Sequence, residues 1–184
     1  MKVLLINNYD SFVYNIYQML LARGDTVELR NNDDLPAGEY HRKVIISPGP
    51  GNPVNRSDSG NIMEFLEAGN YGTVLGICFG HQIVGRFLGS GIRLSKSLMH
   101  GEIDEIMNLG APLMMGLPEK FHAVRYHSLA ITPSERLRID AVSGRDGEIM
   151  AFHDSGVRYF GLQFHPESYY SEYGAEILDN FMVI

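Results

Sequence analysis

The chain has 184 residues, which at about 150 residues per domain reads as a single domain over 1–184, large enough to bury roughly 70% of its unfolded surface. Its one cysteine, Cys78, excludes an intramolecular disulfide and a cysteine cage for a metal, and fits a reducing compartment. Fifteen basic residues against 22 acidic ones leave a net charge of −7, the wrong sign for wrapping a nucleic acid. No stretch approaches the about 18 apolar residues of a bilayer span, and the apolar start at 1–6 stops at Asn7 and Asn8, too short for a signal-peptide core. The expected setting is cytoplasmic, with neither nucleic acid nor membrane as partner.

Residues 2–6 are a short β-rich run. Phe12, Ile16, Met19 and Leu20 then recur at helical spacing behind Asp10 or Ser11 as N-cap, with Gly24 at the C-cap. Strands are predicted at 26–30, 43–47 and 73–77, a helix at 61–68 ending at Gly69, and another from Cys78 to about Leu88. This alternation predicts an α/β fold, a doubly wound, mostly parallel sheet with helices on both faces. From about Ile92 the runs shorten, at 101–107, 121–126, 137–143 and 149–153. Asp154, Ser155 and Gly156 supply a turn into 157–165, so the last two runs read as a hairpin in an added antiparallel portion. A helix at 172–182, with Ile177, Leu178 and Phe181 on its apolar side, closes the chain.

The sharpest local signal is Gly76-Ile77-Cys78-Phe79-Gly80-His81-Gln82, a strand entering a helix with a thiol at the junction. Glycines two before and two after the cysteine have the spacing of a nucleophile elbow. Such a turn lifts the sulfur above the sheet edge and sets it at the positive end of a helix, where a thiolate is favoured. A lone cysteine in an apolar strand is ordinarily a small buried hydrophobe; the flanking glycines argue for a nucleophile. His165 is the candidate base, since an extended 165–167 would put the Glu167 carboxylate on the side of the His165 ring to orient it. The Ser47-Pro48-Gly49-Pro50-Gly51-Asn52-Pro53 loop leaves the 43–47 strand at the same carboxyl edge of the sheet and offers few backbone donors, suited to an oxyanion. Gln82, one helical turn after Cys78, can offer its amide to a small polar substrate. The chemistry read from these residues is acyl transfer to water through a thioester, with no metal and no cofactor.

Together these segments resemble the class I, triad-type glutamine amidotransferases. The resemblance spans essentially the whole chain and includes Asn8-Tyr9-Asp10-Ser11-Phe12, Met99-His100-Gly101, Arg125-Tyr126-His127-Ser128-Leu129 and Gln163-Phe164-His165-Pro166-Glu167-Ser168. The opening Asn-Tyr-Asp-Ser-Phe segment resembles the chorismate-using branch, the glutaminase subunits of anthranilate synthase and aminodeoxychorismate synthase. The resemblance implies hydrolysis of L-glutamine to glutamate and ammonia by a Cys78, His165, Glu167 triad, with Gly51 and Phe79 amides as oxyanion hole. It further implies that Gly49, Pro50, Gly51, Gln82, Ser128 and Leu129 hold the glutamine. Ammonia would pass to a chorismate-using partner, anthranilate synthase component I or aminodeoxychorismate synthase component I. His81, His100 and His127 are assigned to packing or partner contact. Departures from the family pattern fall at Asn7, Phe79, Glu102, Tyr169 and Tyr170, none of them a catalytic group. The competing readings are a stand-alone γ-glutamyl cysteine hydrolase and a non-catalytic binding subunit.

Overall fold

The computed structural model describes residues 1–35 and 38–184. In chain order the first elements are β1 (Lys2–Asn7), α1 (Val13–Ala22), β2 (Thr26–Asn31), β3 (His41–Ile46), α2 (Arg56–Ser59), α3 (Ile62–Ala68), β4 (Tyr71–Ile77) and α4 (Phe79–Phe87). There follow β5 (Ile92–Leu94), β6 (Glu102–Asn108), β7 (Lys120–Arg125), β8 (Leu129–Ile131), β9 (Leu137–Ser143), β10 (Ile149–Asp154), β11 (Tyr159–Leu162) and α5 (Gly174–Val183).

Nine strands make one sheet in the order β2-β1-β3-β4-β11-β10-β9-β6-β7. The first five run parallel, and from β10 onward the pairing is antiparallel. The expected α/β class is therefore observed, and the expected antiparallel portion continues the parallel sheet rather than forming a layer of its own. A separate two-stranded ribbon pairs β5 with β8.

The period-two pattern of β1 explains why both faces are covered. Val3 and Leu5 join α1 and α5 in one buried cluster, while Leu4 and Ile6 join α3 and α4 in the other. Lys43 is buried under α5, donates from Nζ to the Phe181 carbonyl at 2.8 Å and lies 4.7 Å from the Phe181 ring centroid. Burial, and secondarily the charge of Arg42, lowers its pKa to about 8.

Three local expectations need correction. The first helix starts at Val13 with Phe12 at the cap position and no side-chain cap; Asp10 instead accepts the Phe12 amide at 2.7 Å in a local turn. The strand expected over 157–165 is only Tyr159–Leu162. Asp154 gathers the amides of Gly156, Arg158 and Tyr159 into the hairpin turn, with Val157 at φ 52°, which delays the strand. At 165–168 the chain is a turn, closed by Ser168 N–H on the His165 carbonyl at 3.2 Å, and not the extended segment expected. Among the described residues no helix is long and apolar enough to cross a membrane.

Asp140 is buried on β9 and accepts from His153 Nδ1 at 2.7 Å through one oxygen, while Oδ2 has no partner. Burial raises its pKa to about 6, against the lowering effect of His153. The folded state thus holds this proton more tightly than the unfolded chain, so its contribution is complete below pH 3.8 and lost as pH rises through 6. Asp140→Asn is expected to stabilise the protein by about 1–3 kcal/mol at pH 7.5 and by far less at pH 4. Urea denaturation at both values checks this; equal effects at the two would contradict it.

Candidate active site

The strand-to-helix junction is built on backbone contacts that only glycine allows. A Cβ on Gly76 would overlap the Gly80 carbonyl, and one on Gly80 would overlap the Ile46 carbonyl of neighbouring β3. Cys78 between them is held at φ 53°, ψ −102°, a conformation that costs a non-glycine residue about 1–3 kcal/mol. Its amide donates to the Leu162 carbonyl at 2.7 Å, which ties the strained residue to the end of β11. The thiol stands at the N-terminus of α4.

His165 reaches the same place from the end of the neighbouring strand. Its N–H donates to the Val124 carbonyl at 3.0 Å, and its own carbonyl accepts from Ser171 Oγ at 2.6 Å. The absent Cβ of Gly174 lets the start of α5 pack on the Pro166 carbonyl. The turn at 165–168 brings Glu167 Oε1 to 2.7 Å from His165 Nδ1, with both side chains buried. The opposite nitrogen, Nε2, is buried and has no hydrogen-bond partner among the described residues, while the charge of Cys78 bears on the ring. Burial pulls the His165 pKa down. The charge of Cys78, then the hydrogen bond and charge of Glu167, outweigh it and carry the value well above 6.5.

A pocket of about 140 Å³ opens over the thiol, smaller than drug-sized sites and matched to a small polar molecule. Gly49, Pro50 and Gly51 form one wall; Cys78, Phe79 and Gln82 form the floor; Tyr126, His127, Ser128 and Leu129 form the far wall. The eight pocket residues expected from the sequence therefore lie together, with His165 and Glu167 set behind Cys78. The glycine loop rests on Asn8, whose side-chain amide donates to the Ser47 carbonyl at 2.8 Å and whose Cβ leaves no room for a side chain at Gly49. Asn52 spends its amide on Asp58 Oδ2 at 2.9 Å, whereas among the described residues the Gly51 and Phe79 amides meet no protein acceptor.

The Gln82 amide has one end left to offer. Its Nε2 donates to the Leu129 carbonyl at 3.0 Å and to Gln163 Oε1 at 3.2 Å, so its donors are spent inside the protein and Oε1 is what remains for a ligand. Tyr126 and His127 were not expected in the pocket. The signal was their position immediately before Ser128, masked by the strand-like look of the segment. Of the departures, Glu102 pairs with Arg145 at 2.5 Å, while Tyr169 and Tyr170 are exposed and meet edge to face. Among the described residues one cluster, Glu28, Glu39 and His41, brings metal-capable atoms within 4.8 Å of one another. Lys2 and Arg30 already neutralise Glu28, and none of the three lines the pocket over Cys78.

The profile of the class-I glutamine amidotransferases matches residues 4–184. The chain belongs to that family. It is 40% identical to anthranilate synthase component 2 of Saccharolobus solfataricus, over 97% of this chain and 96% of that one. It is 37% identical to aminodeoxychorismate synthase component 2 of Serratia marcescens, over 98% of each. Among solved structures, a Thermoplasma acidophilum protein described as a candidate GMP synthase subunit superposes with a TM-score of 0.88 at 22% identity, covering 100% of this chain and 92% of that one, a likeness of fold.

Two outcomes test this family member's site geometry. Gly80→Ala, forced against the Ile46 carbonyl, is expected to cost about 1–3 kcal/mol in chemical denaturation and to slow alkylation of Cys78. Glu167→Gln is expected to move the His165 titration to lower pH, read from its imidazole ¹⁵N shifts; an unmoved titration would show that the carboxylate does not act on the ring.

Proposed function

We propose that residues 1–184 act as one glutaminase domain that hydrolyses L-glutamine through a Cys78 thioester and hands ammonia to a chorismate-using synthase subunit. The observation that carries this reading is the strained Cys78 at a helix N-terminus on the floor of a small pocket, with the His165–Glu167 pair 2.7 Å apart behind it. In the proposed cycle Cys78 Sγ attacks the carboxamide carbon and the thiol proton passes to His165 Nε2. The tetrahedral oxygen accepts from the Gly51 and Phe79 amides, which are rigid before the reaction begins. His165 returns the proton to the departing nitrogen as ammonia leaves and the thioester forms. Water, deprotonated by His165, then attacks the thioester carbonyl, releasing glutamate and restoring the thiol. Glu167 holds the His165 tautomer and offsets the imidazolium charge. Gln82 Oε1 and the backbone at Ser128 and Leu129 hold the amino-acid end of the substrate. No step calls for a metal or a cofactor.

The relatives named anthranilate synthase component 2 support anthranilate synthase component I as the partner in a hetero-oligomer. The Serratia relative, almost as similar, supports a second reading with aminodeoxychorismate synthase component I. Reconstitution with each synthase separates them, the cognate partner being the one that makes aminated product from glutamine. In that complex Cys78→Ser is expected to lower glutamine-dependent synthesis by at least about 10³-fold while synthesis from ammonium stays within twofold. Equal loss with both nitrogen sources would make Cys78 a structural residue.

A further inference from the structure

A fully buried charge lies next to the pocket and takes no part in the cycle above. Arg125, the last residue of β7, is fully buried. Its guanidinium donates to Asp104 Oδ2 at 2.5 Å, Ser143 Oγ at 2.9 Å and Asp146 Oδ2 at 3.1 Å. Its Nε points 3.0 Å to His127 Nε2. Guanidinium has no lone pair to offer, so His127 Nε2 must be the acceptor and the ring proton must sit on Nδ1. That proton faces the Leu129 carbonyl at 2.9 Å, which can only accept. The partners on its two sides therefore fix one tautomer. A second proton on the ring would set an N–H against the guanidinium; burial, then the Arg125 charge, lowers the His127 pKa to about 4. With both nitrogens engaged and the ring neutral, His127 is unsuited to moving protons.

We propose that Arg125 and His127 are positioning residues for the pocket wall at Ser128 and Leu129, the guanidinium holding the imidazole in the one tautomer that clamps the Leu129 carbonyl. This rests on the glutaminase reading of the pocket. The same carbonyl accepts from Gln82 Nε2, so the wall is pinned from β7 on one side and from α4 on the other. Without the clamp the wall keeps the Gln82 bond, the Ser95 N–H on the Ser128 carbonyl at 2.8 Å and the three-residue ribbon of β8 on β5, none of which fixes the His127 side of the Leu129 carbonyl. Burying an arginine between two carboxylates is a poor way to gain stability, since an apolar cluster of the same volume commonly does better. What the arrangement supplies is a defined direction for Nε, and through His127 a fixed height for the wall. Substrate placement is sensitive to displacements of about 1 Å.

The test compares two reagents on Cys78 of the full chain: iodoacetamide, which needs only the thiol, and a glutamine-shaped diazoketone, which must also fill the pocket. His127→Gln keeps an acceptor near Arg125 Nε and loses the donor at Leu129; His127→Asn keeps a donor in the Nδ1 position. His127→Gln is expected to raise the half-saturating diazoketone concentration about tenfold, the value of one lost hydrogen bond, while its limiting rate and the iodoacetamide rate stay within twofold. His127→Asn is expected to recover most of that loss. Unchanged half-saturation in His127→Gln, or equal behaviour of the two variants, would overturn the inference. So would a parallel fall in both labelling rates with a lowered Tm, the mark of a residue that merely holds the fold. Wild-type protein that reacts with iodoacetamide but never saturates with the diazoketone would instead remove the glutaminase reading, and this inference with it.

Discussion

The constraint on which the rest depends is the closeness of three backbones at the end of β4. The strand must meet α4 at Gly76 and Gly80, and α4 must meet β3 at Ile46, with no Cβ in either gap. Those contacts hold Cys78 at positive φ and aim its side chain out of the sheet edge. Strand order then assembles the surroundings. β4 lies between β3 and β11, so the loop after β3 and the turn after β11 emerge on either side of the thiol. One strained residue and two neighbours in a parallel sheet put three distant sequence segments within reach of one small molecule.

Electrostatics sets the histidines near this edge apart. Burial disfavours the imidazolium in all of them. At His81, under the Phe152 ring, burial dominates and the pKa falls to about 3, leaving a neutral packing residue. At His127 the Arg125 guanidinium adds to burial, and the ring becomes a fixed donor and acceptor. At His165 Cys78 and Glu167 reverse the outcome and favour the imidazolium that forms when the ring takes up a proton. Similar burial thus leaves the imidazolium disfavoured in two rings and favoured in the third, according to the charge placed beside each.

Much of the fold was legible in the sequence because the signals were local. Runs such as residues 3–6 and 44–46 could satisfy only a two-sided sheet, and the glycines about Cys78 identified the elbow before its contacts were known. Less legible were features fixed by distant partners. β5 and β8 have three residues each and are strands only by pairing with one another. Which end of the Gln82 amide faces the pocket depends on the Leu129 carbonyl and Gln163, 47 and 81 residues away, which take its amide protons. The His165–Glu167 contact was foreseen correctly through the wrong geometry, a turn in place of an extended segment. Nothing in the Arg125-Tyr126-His127 stretch announces that its two basic residues face one another, since that depends on Asp104, Ser143 and Asp146 converging from β6 and the end of β9.

The central claim is that Cys78 forms a γ-glutamyl thioester, and the most direct measurement is the mass of the full chain after an acid quench from glutamine. The account predicts an added mass of glutamine less ammonia, located on the peptide carrying Cys78, absent with glutamate in place of glutamine and absent in Cys78→Ser. Turnover of glutamine to glutamate in Cys78→Ser at the wild-type rate, or an adduct on any residue other than Cys78, would contradict it.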